Sequence, residues 1–170
     1  MGEKLVEIME NTITRALQKL DGAPAAVRPW LKSKIFGRVV PFVGTAGLRF
    51  VKTEPDEWIV ATANRRRVQN HLGQVHACVM ILLAETAGVM ITAMNLPIDR
   101  IPLVKKVEAD FVKRSAGGMK AVAKLSSEQR AYMLDHEKGE MKIEVTVTDE
   151  TGEPPVLVTI TSAWVPRKRT

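Results

Sequence analysis

The sequence predicts an α+β protein in which one antiparallel sheet curls around a single long central helix, preceded by a helical extension. Three observations predict it. A strand hairpin precedes an almost wholly apolar run, Val75 to Met94; about four alternating segments follow that run; and an amphipathic stretch opens the chain. The implied division is an N-terminal helical extension over 1–43 and a sheet-and-helix domain over 44–170, folded together. With 170 residues, 45% of them hydrophobic, the chain can bury one real core and not two comfortable ones.

In chain order, Glu3 to Leu20 sets Leu5, Ile8, Met9, Thr12, Ile13, Ala16, Leu17 and Leu20 on one helical stripe, and Asp21-Gly22 supplies a stop. Pro24 to Phe42 is mixed, with Pro29 and Pro41 as breaks and Trp30, Leu31, Ile35 and Phe36 available for a short second helix. Gly47 to Glu54 and Trp58 to Val68 alternate around a turn at Pro55-Asp56-Glu57, which reads as a hairpin. The apolar helix comes next and ends at Asn95-Leu96-Pro97. Leu103 to Lys113, Met119 to Leu125, Glu140 to Thr148 and Pro155 to Val165 then read as strands, the last two joined by the turn-rich link 149–154. Ser126 to Lys138 stays open between a turn with a short helix and an irregular insert.

Composition narrows the function. The run Val75 to Met94 is about long enough to cross a bilayer, but Glu85 and His76 count against a span and the flanks alternate like a sheet, so no membrane is expected. The net charge of +6 includes Arg65-Arg66-Arg67 and Arg167-Lys168-Arg169, which suits a polyanionic partner. With only 5% aromatic residues and no recognition motif, no nucleic-acid partner is expected; a phosphate-bearing small molecule fits better. The alternative is that Arg65, Arg66 and Arg67 blunt a strand edge and the last residues are a solvated tail. The single cysteine, Cys78, cannot form an internal disulfide, and Met1 to Met9 lacks an apolar signal core, so a cytoplasmic location is expected. His71, His76 and His136 lack metal-ligand spacing, so neither a metal nor another cofactor is expected.

The most informative segment is Asn70-His71-Leu72-Gly73-Gln74-Val75-His76-Ala77-Cys78, followed by the helix that carries Glu85 nine residues after His76. With the element order, it resembles the hotdog-fold thioesterase superfamily over about Thr45 to Val165. In that family an Asn, a Gly and a His-Gly-Gly lead into the helix, and an Asp or Glu follows nine residues after the His. Asn70, Gly73, His76 and Glu85 fall at the matching positions, and Phe111-Val112-Lys113-Arg114-Ser115-Ala116-Gly117 is similar to the strand end after the helix. The resemblance leans to the phenylacetate-pathway type of acyl-CoA thioesterase, and within it to an uncharacterised bacterial branch with an N-terminal helical extension. Ala77 and Cys78 replace the two glycines. The first of those positions supplies a backbone N–H to the thioester carbonyl, a role that needs no side chain. Where some relatives place a Ser or Thr to orient water, this chain has Val104, Lys105 and Lys106.

The chemistry also follows from the residues. A helix N-terminus offers unpaired N–H groups and partial positive charge to an oxyanion, and Ala77 sits there. A carboxylate among apolar neighbours resists ionisation and can activate water near neutral pH, the setting of Glu85. Ala77 and Glu85 are eight residues apart in the sequence. That is about 12 Å along one helix, too far for both to act on one carbonyl. A symmetric dimer placing Ala77 and Asn70 of one subunit beside Glu85 of the other solves this, and the resemblance implies a homodimer or a tetramer of such pairs.

The expected function is hydrolysis of an acyl-CoA or other acyl-thioester, with Glu85 activating water, Ala77 holding the oxyanion and Asn70 holding the thioester or the water. His76 is carried with them from the motif. Gly73, Lys113, Arg114, Arg65 and Arg67 are the substrate-binding candidates, the cations for the carrier's phosphates. Each has a plainer alternative. Glu85 could pair with Lys105 or Arg100. Asn70 could serve as a cap or turn residue, and His76 could hydrogen-bond backbone near the helix start, the role we favour for it. Cys78 reads as a small buried hydrophobe, and Met80, Met90 and Met94 as core or acyl-tunnel lining. The competing function is a non-catalytic acyl-CoA or fatty-acid binder of the same fold.

Overall fold

The computed structural model of the chain describes residues 11–20 and 22–167. Leu5, Ile8 and Met9 of the first predicted stripe, Asp21 of its stop, and Lys168 and Arg169 of the basic tail lie outside the described residues. The first helix is described as α1, Thr12–Gln18, capped by Asn11. It is followed by α2 (Arg28–Val39) and α3 (Pro41–Ala46). Pro29 does not break α2 as expected. It lies in the first turn, where no intrahelical N–H is required, so α2 runs for 12 residues.

The hairpin is β1 (Arg49–Thr53) and β2 (Glu57–Thr62). The second strand stops at Thr62 rather than running to Val68, because three consecutive arginines present no alternating apolar face to the core. Arg65 to Arg67 therefore lie in a loop and a one-turn helix at Arg66–Val68, not on a strand edge. The central helix, α4, spans Ala77–Met94, and β3 (Arg100–Phe111) and β4 (Met119–Lys124) follow. The open segment 126–138 holds a helix, α5 (Ser127–Asp135), and β5 (Gly139–Asp149) and β6 (Val156–Pro166) complete the chain.

All neighbouring strands are antiparallel, in the order β1-β2-β4-β5-β6-β3. One face of this six-stranded sheet wraps α4, which touches every strand from β2 to β3. Leu83, Ala84, Ala87 and Ile91 of α4 are wholly buried, as are Val60, Ala121, Ala123 and Ile160 of the strands around it. Gly88 admits Ile160, whose Cγ2 would lie 3.1 Å from a Cβ added there, so the helix beds close to β6. By length and a mean hydropathy of 2.0, α4 is apolar enough to cross a membrane, yet 56% of it is covered by the rest of the chain.

The extension shares this core. Phe36 of α2 packs on Phe50 (ring centroids 4.6 Å apart) and edge-on to Trp58 (5.7 Å). Ser33 Oγ accepts the Phe50 N–H at 3.0 Å, and Lys32 Nζ donates to Thr53 Oγ1 at 2.7 Å, which covers part of the free edge of β1. Asn11 ties α1 to the far end of the central helix. Its Nδ2 donates to the carbonyls of Ala93, Met94 and Leu96 at 3.0, 2.9 and 2.9 Å.

Candidate active site

The segment from Asn64 to His76 is a small, self-bonded loop that delivers the chain to the start of α4. Asn70 organises it. Its Oδ1 accepts the N–H groups of Leu72 (2.9 Å) and Gln74 (3.1 Å), and its own N–H donates to Gln74 O at 2.8 Å. With the side-chain oxygen spent inside the loop, the Asn70 Nδ2 group has no partner among the described residues and stands as a fixed donor. Gly73 closes the turn at φ +73°, a backbone conformation that side chains other than glycine resist, and its carbonyl accepts Asn64 Nδ2 at 3.0 Å.

His76 is the N-cap of α4. Its Nδ1 accepts the Cys78 N–H at 3.1 Å, and its own N–H donates to Val68 O at 2.8 Å. The imidazole is exposed, with one nitrogen committed to the helix start. Ala77 is the first helical residue, and among the described residues its N–H donates to no acceptor. A free amide at the positive end of an 18-residue helix is a donor ready for an oxyanion. Cys78 is exposed rather than buried as expected: Val79 and Met80 take the sheet side of the first turn.

Farther along α4, Glu85 lies on the side the sheet does not cover, on a stripe with Cys78, Ile81, Leu82 and Val89. Its carboxylate is half-buried, and burial raises its pKa above the ordinary 4.5 against the lesser, opposite effect of the Thr86 hydroxyl, which donates at 3.3 Å. The two cations considered as structural partners are engaged elsewhere. Lys105 pairs with Glu140, and Arg100 donates to the carbonyls of Met133, Leu134 and His136 around the end of α5. Glu85 has no ion pair among the described residues.

The substrate-binding candidates separate into two places. Arg65 and Arg67 line a cleft of about 530 Å³ between α2 and the ends of the hairpin strands. Lys113 and Arg114, on the loop after β3, do not line it. Lys113 lies 3.5 Å from the Asp149 carboxylate and donates to Thr151 Oγ1 at 3.1 Å, while Arg114 is exposed. Asp149 also accepts the Ala116 N–H at 3.0 Å, and the Glu150 carboxylate accepts the Gly118 N–H at 2.9 Å, so two acidic residues clamp this loop. No group of three metal-ligating side chains occurs among the described residues.

A six-stranded antiparallel sheet wrapped around one central helix is the hotdog fold. The chain belongs to the DUF4442 family, described as a domain of unknown function, which matches residues 28–165. The match begins at the first residue of α2, so the family's domain includes part of the helical extension.

Solved structures share the fold, three of them as follows. A protein of unknown function from Pseudomonas aeruginosa, described as a probable thioesterase, superposes with a TM-score of 0.70 at 22% identity, over 79% of this chain and 93% of that one. A thioesterase from Haemophilus influenzae gives 0.65 at 14% identity, over 81% and 92%. A variant of a thioesterase enzyme from Staphylococcus aureus gives 0.64 at 16% identity, over 75% and 100%. No curated protein matches the sequence.

Proposed function

We propose that this protein is a homodimeric acyl-thioester hydrolase acting on acyl-coenzyme A in the cytoplasm. The observation that carries the reading is Glu85, a half-buried carboxylate without an ion-pair partner on the open apolar side of the central helix. A structural carboxylate is normally paired when it is desolvated; one left unpaired and hard to ionise suits a base that takes a proton from water. The Ala77 amide supplies the oxyanion donor and the Asn70 Nδ2 group a second donor to thioester or water. His76 shapes the approach to both by capping the helix.

Ala77 and Glu85 of one chain stand too far apart for one carbonyl, so the reaction requires two chains. The twelve-residue β3 is paired on one side only and exposes Leu103, Val104, Phe111 and Val112 at or near that edge. With the uncovered stripe of α4, it supports a second copy of this chain as the partner, without nucleic acid or membrane. The apolar surroundings of Glu85 and the half-buried Met90 suit an acyl chain.

The test is release of free thiol from acyl-CoAs of graded chain length and from aryl-acyl-CoAs, by wild type and Glu85→Gln. Turnover in the wild type that falls by about 10²- to 10⁴-fold in the variant supports the reading. Absence of turnover with tight acyl-CoA binding overturns it in favour of the non-catalytic binder, which Ala77 and Cys78 in place of glycines would suit. The same variant checks burial. A carboxyl whose pKa is raised on folding gives stability below pH 4.5 that is lost as it ionises at higher pH. Glu85→Gln therefore gains on wild type in denaturant unfolding as pH rises from 4.5.

A further inference from the structure

The cleft beside α2 has a charge pattern that a hydrolytic site at α4 does not require. Lys34 and Arg38 reach it from α2, Arg49 from β1, and Arg65 and Arg67 from the loop after β2, and no carboxylate lines it. None of the four guanidinium groups has a hydrogen bond or ion pair among the described residues. All five cations are solvent-exposed, which screens their mutual repulsion, and an anion held between them relieves what remains.

Arg67 is seated rather than loose. Its guanidinium lies over Gly47, at φ +69°, where an added Cβ would fall 1.9 Å from Arg67 Nη2. The glycine that ends α3 thus both makes the left-handed turn and leaves the space the guanidinium fills. Trp30 adds an aromatic surface at the rim. It is 58% exposed, with Lys34 Nζ 5.6 Å from its ring centroid. A volume of about 530 Å³ suits a small molecule, and guanidinium forks suit phosphate oxygens.

We propose that this cleft binds the diphosphate of a nucleotide-bearing small molecule, with Arg38, Arg49, Arg65 and Arg67 on the phosphates and Trp30 against the base. Only the identity of that molecule as the coenzyme of an acyl-thioester rests on the reading given above; the phosphate chemistry does not. The cleft lies next to the catalytic loop in the chain: Ala63 lines it, and the following residue, Asn64, is bonded to Gly73. Of the exposed apolar residues of the extension, Trp30 lines it and Val27, Val39, Val40 and Phe42 do not, which favours a soluble phosphate over a lipid headgroup.

The full chain is titrated with inorganic pyrophosphate, free coenzyme A and pantetheine, followed by tryptophan fluorescence and calorimetry. Trp58 and Trp164 have no exposed surface, so quenching by a ligand in solution reports Trp30. Pyrophosphate and coenzyme A should both bind and compete, pantetheine should not, and only coenzyme A should quench. Arg38→Ala with Arg67→Ala should lose about tenfold in affinity per guanidinium removed. Arg65→Glu, a reversal on an exposed loop that leaves folding alone, should weaken binding in the same direction. Absence of pyrophosphate binding, affinity unchanged in these variants, or binding only to anionic lipid vesicles overturns the proposal. Because none of the probes is a thioester, probe binding by a protein that releases thiol from no acyl-CoA removes the hydrolase reading alone. Hydrolysis with an acyl-CoA KM untouched by the arginine changes removes the cleft alone.

Discussion

Ala77→Pro deletes one hydrogen atom's worth of chemistry and leaves the helix standing. Ala77 is the first residue of α4, where the amide has no intrahelical partner to lose and where proline's fixed φ is already helical. The preceding residue must avoid the helical region, and His76 already does, at φ −64° and ψ 142°. The substitution therefore removes the proposed oxyanion donor at a stability change within about 1 kcal/mol. Loss of one such donor costs about 10²- to 10³-fold in kcat, or about 2.7–4 kcal/mol of transition-state stabilisation. Thiol release from the best acyl-CoA, beside thermal unfolding, measures both. A folded variant with wild-type kcat would refute the assignment of the Ala77 amide. A kcat loss matched by an equal loss of folded protein would refute the claim that the position tolerates proline.

Two further outcomes concern the frame around the site. Asn11→Ala removes the cap of α1, worth about 1 kcal/mol, and strips three carbonyls at the end of α4 of their donor, worth about 1–3 kcal/mol more, so the urea midpoint should fall with an unchanged slope. Asn11→Asp keeps the cap oxygen but not the donor and should recover little of the loss. Asp149 is held at about 2, most by the Thr151 hydroxyl, then by the Ala116 and Thr151 amides and the Lys113 ammonium, against burial. A pKa lowered on folding gives stability that is present above the ordinary 3.8 and lost as pH falls to about 2. Unfolding measured down the acid range should show Asp149→Asn less stable than wild type at neutral pH, the gap closing toward pH 2.

The sheet and its central helix were legible because period-2 segments and one long apolar run are strong signals, and the run's single carboxylate marked Glu85. The ends of elements were less so. Trp58 to Val68 alternates loosely enough to hide that β2 stops at Thr62. Met133 is the only buried side chain of α5, so no apolar stripe announces that helix in the sequence. The reciprocal Ser126 and Gln129 cap at its start is a sequence-level signal that could have found it. Asn11 falls inside the stripe predicted over Glu3 to Leu20, so neither its cap nor its bonds to residues 82 to 85 positions away show in a one-dimensional pattern. The same holds for the cleft: Arg65 and Arg67 stood out as a run, while Lys34, Arg38 and Arg49 join them only in three dimensions.

The order of the strands also sets when the molecule can be finished. β3 follows α4 directly in the chain yet pairs only with β6, Arg100 opposite Pro166 and Phe111 opposite Val156. During synthesis, at about 5–20 residues per second, β3 therefore emerges seconds before its neighbour exists. Its backbone must wait, solvated or held by a chaperone, until the last strand clears the ribosome, and contacts of such long sequence separation form late in refolding as well. The edge that would meet a second copy in the proposed dimer therefore takes shape only after β6 has emerged.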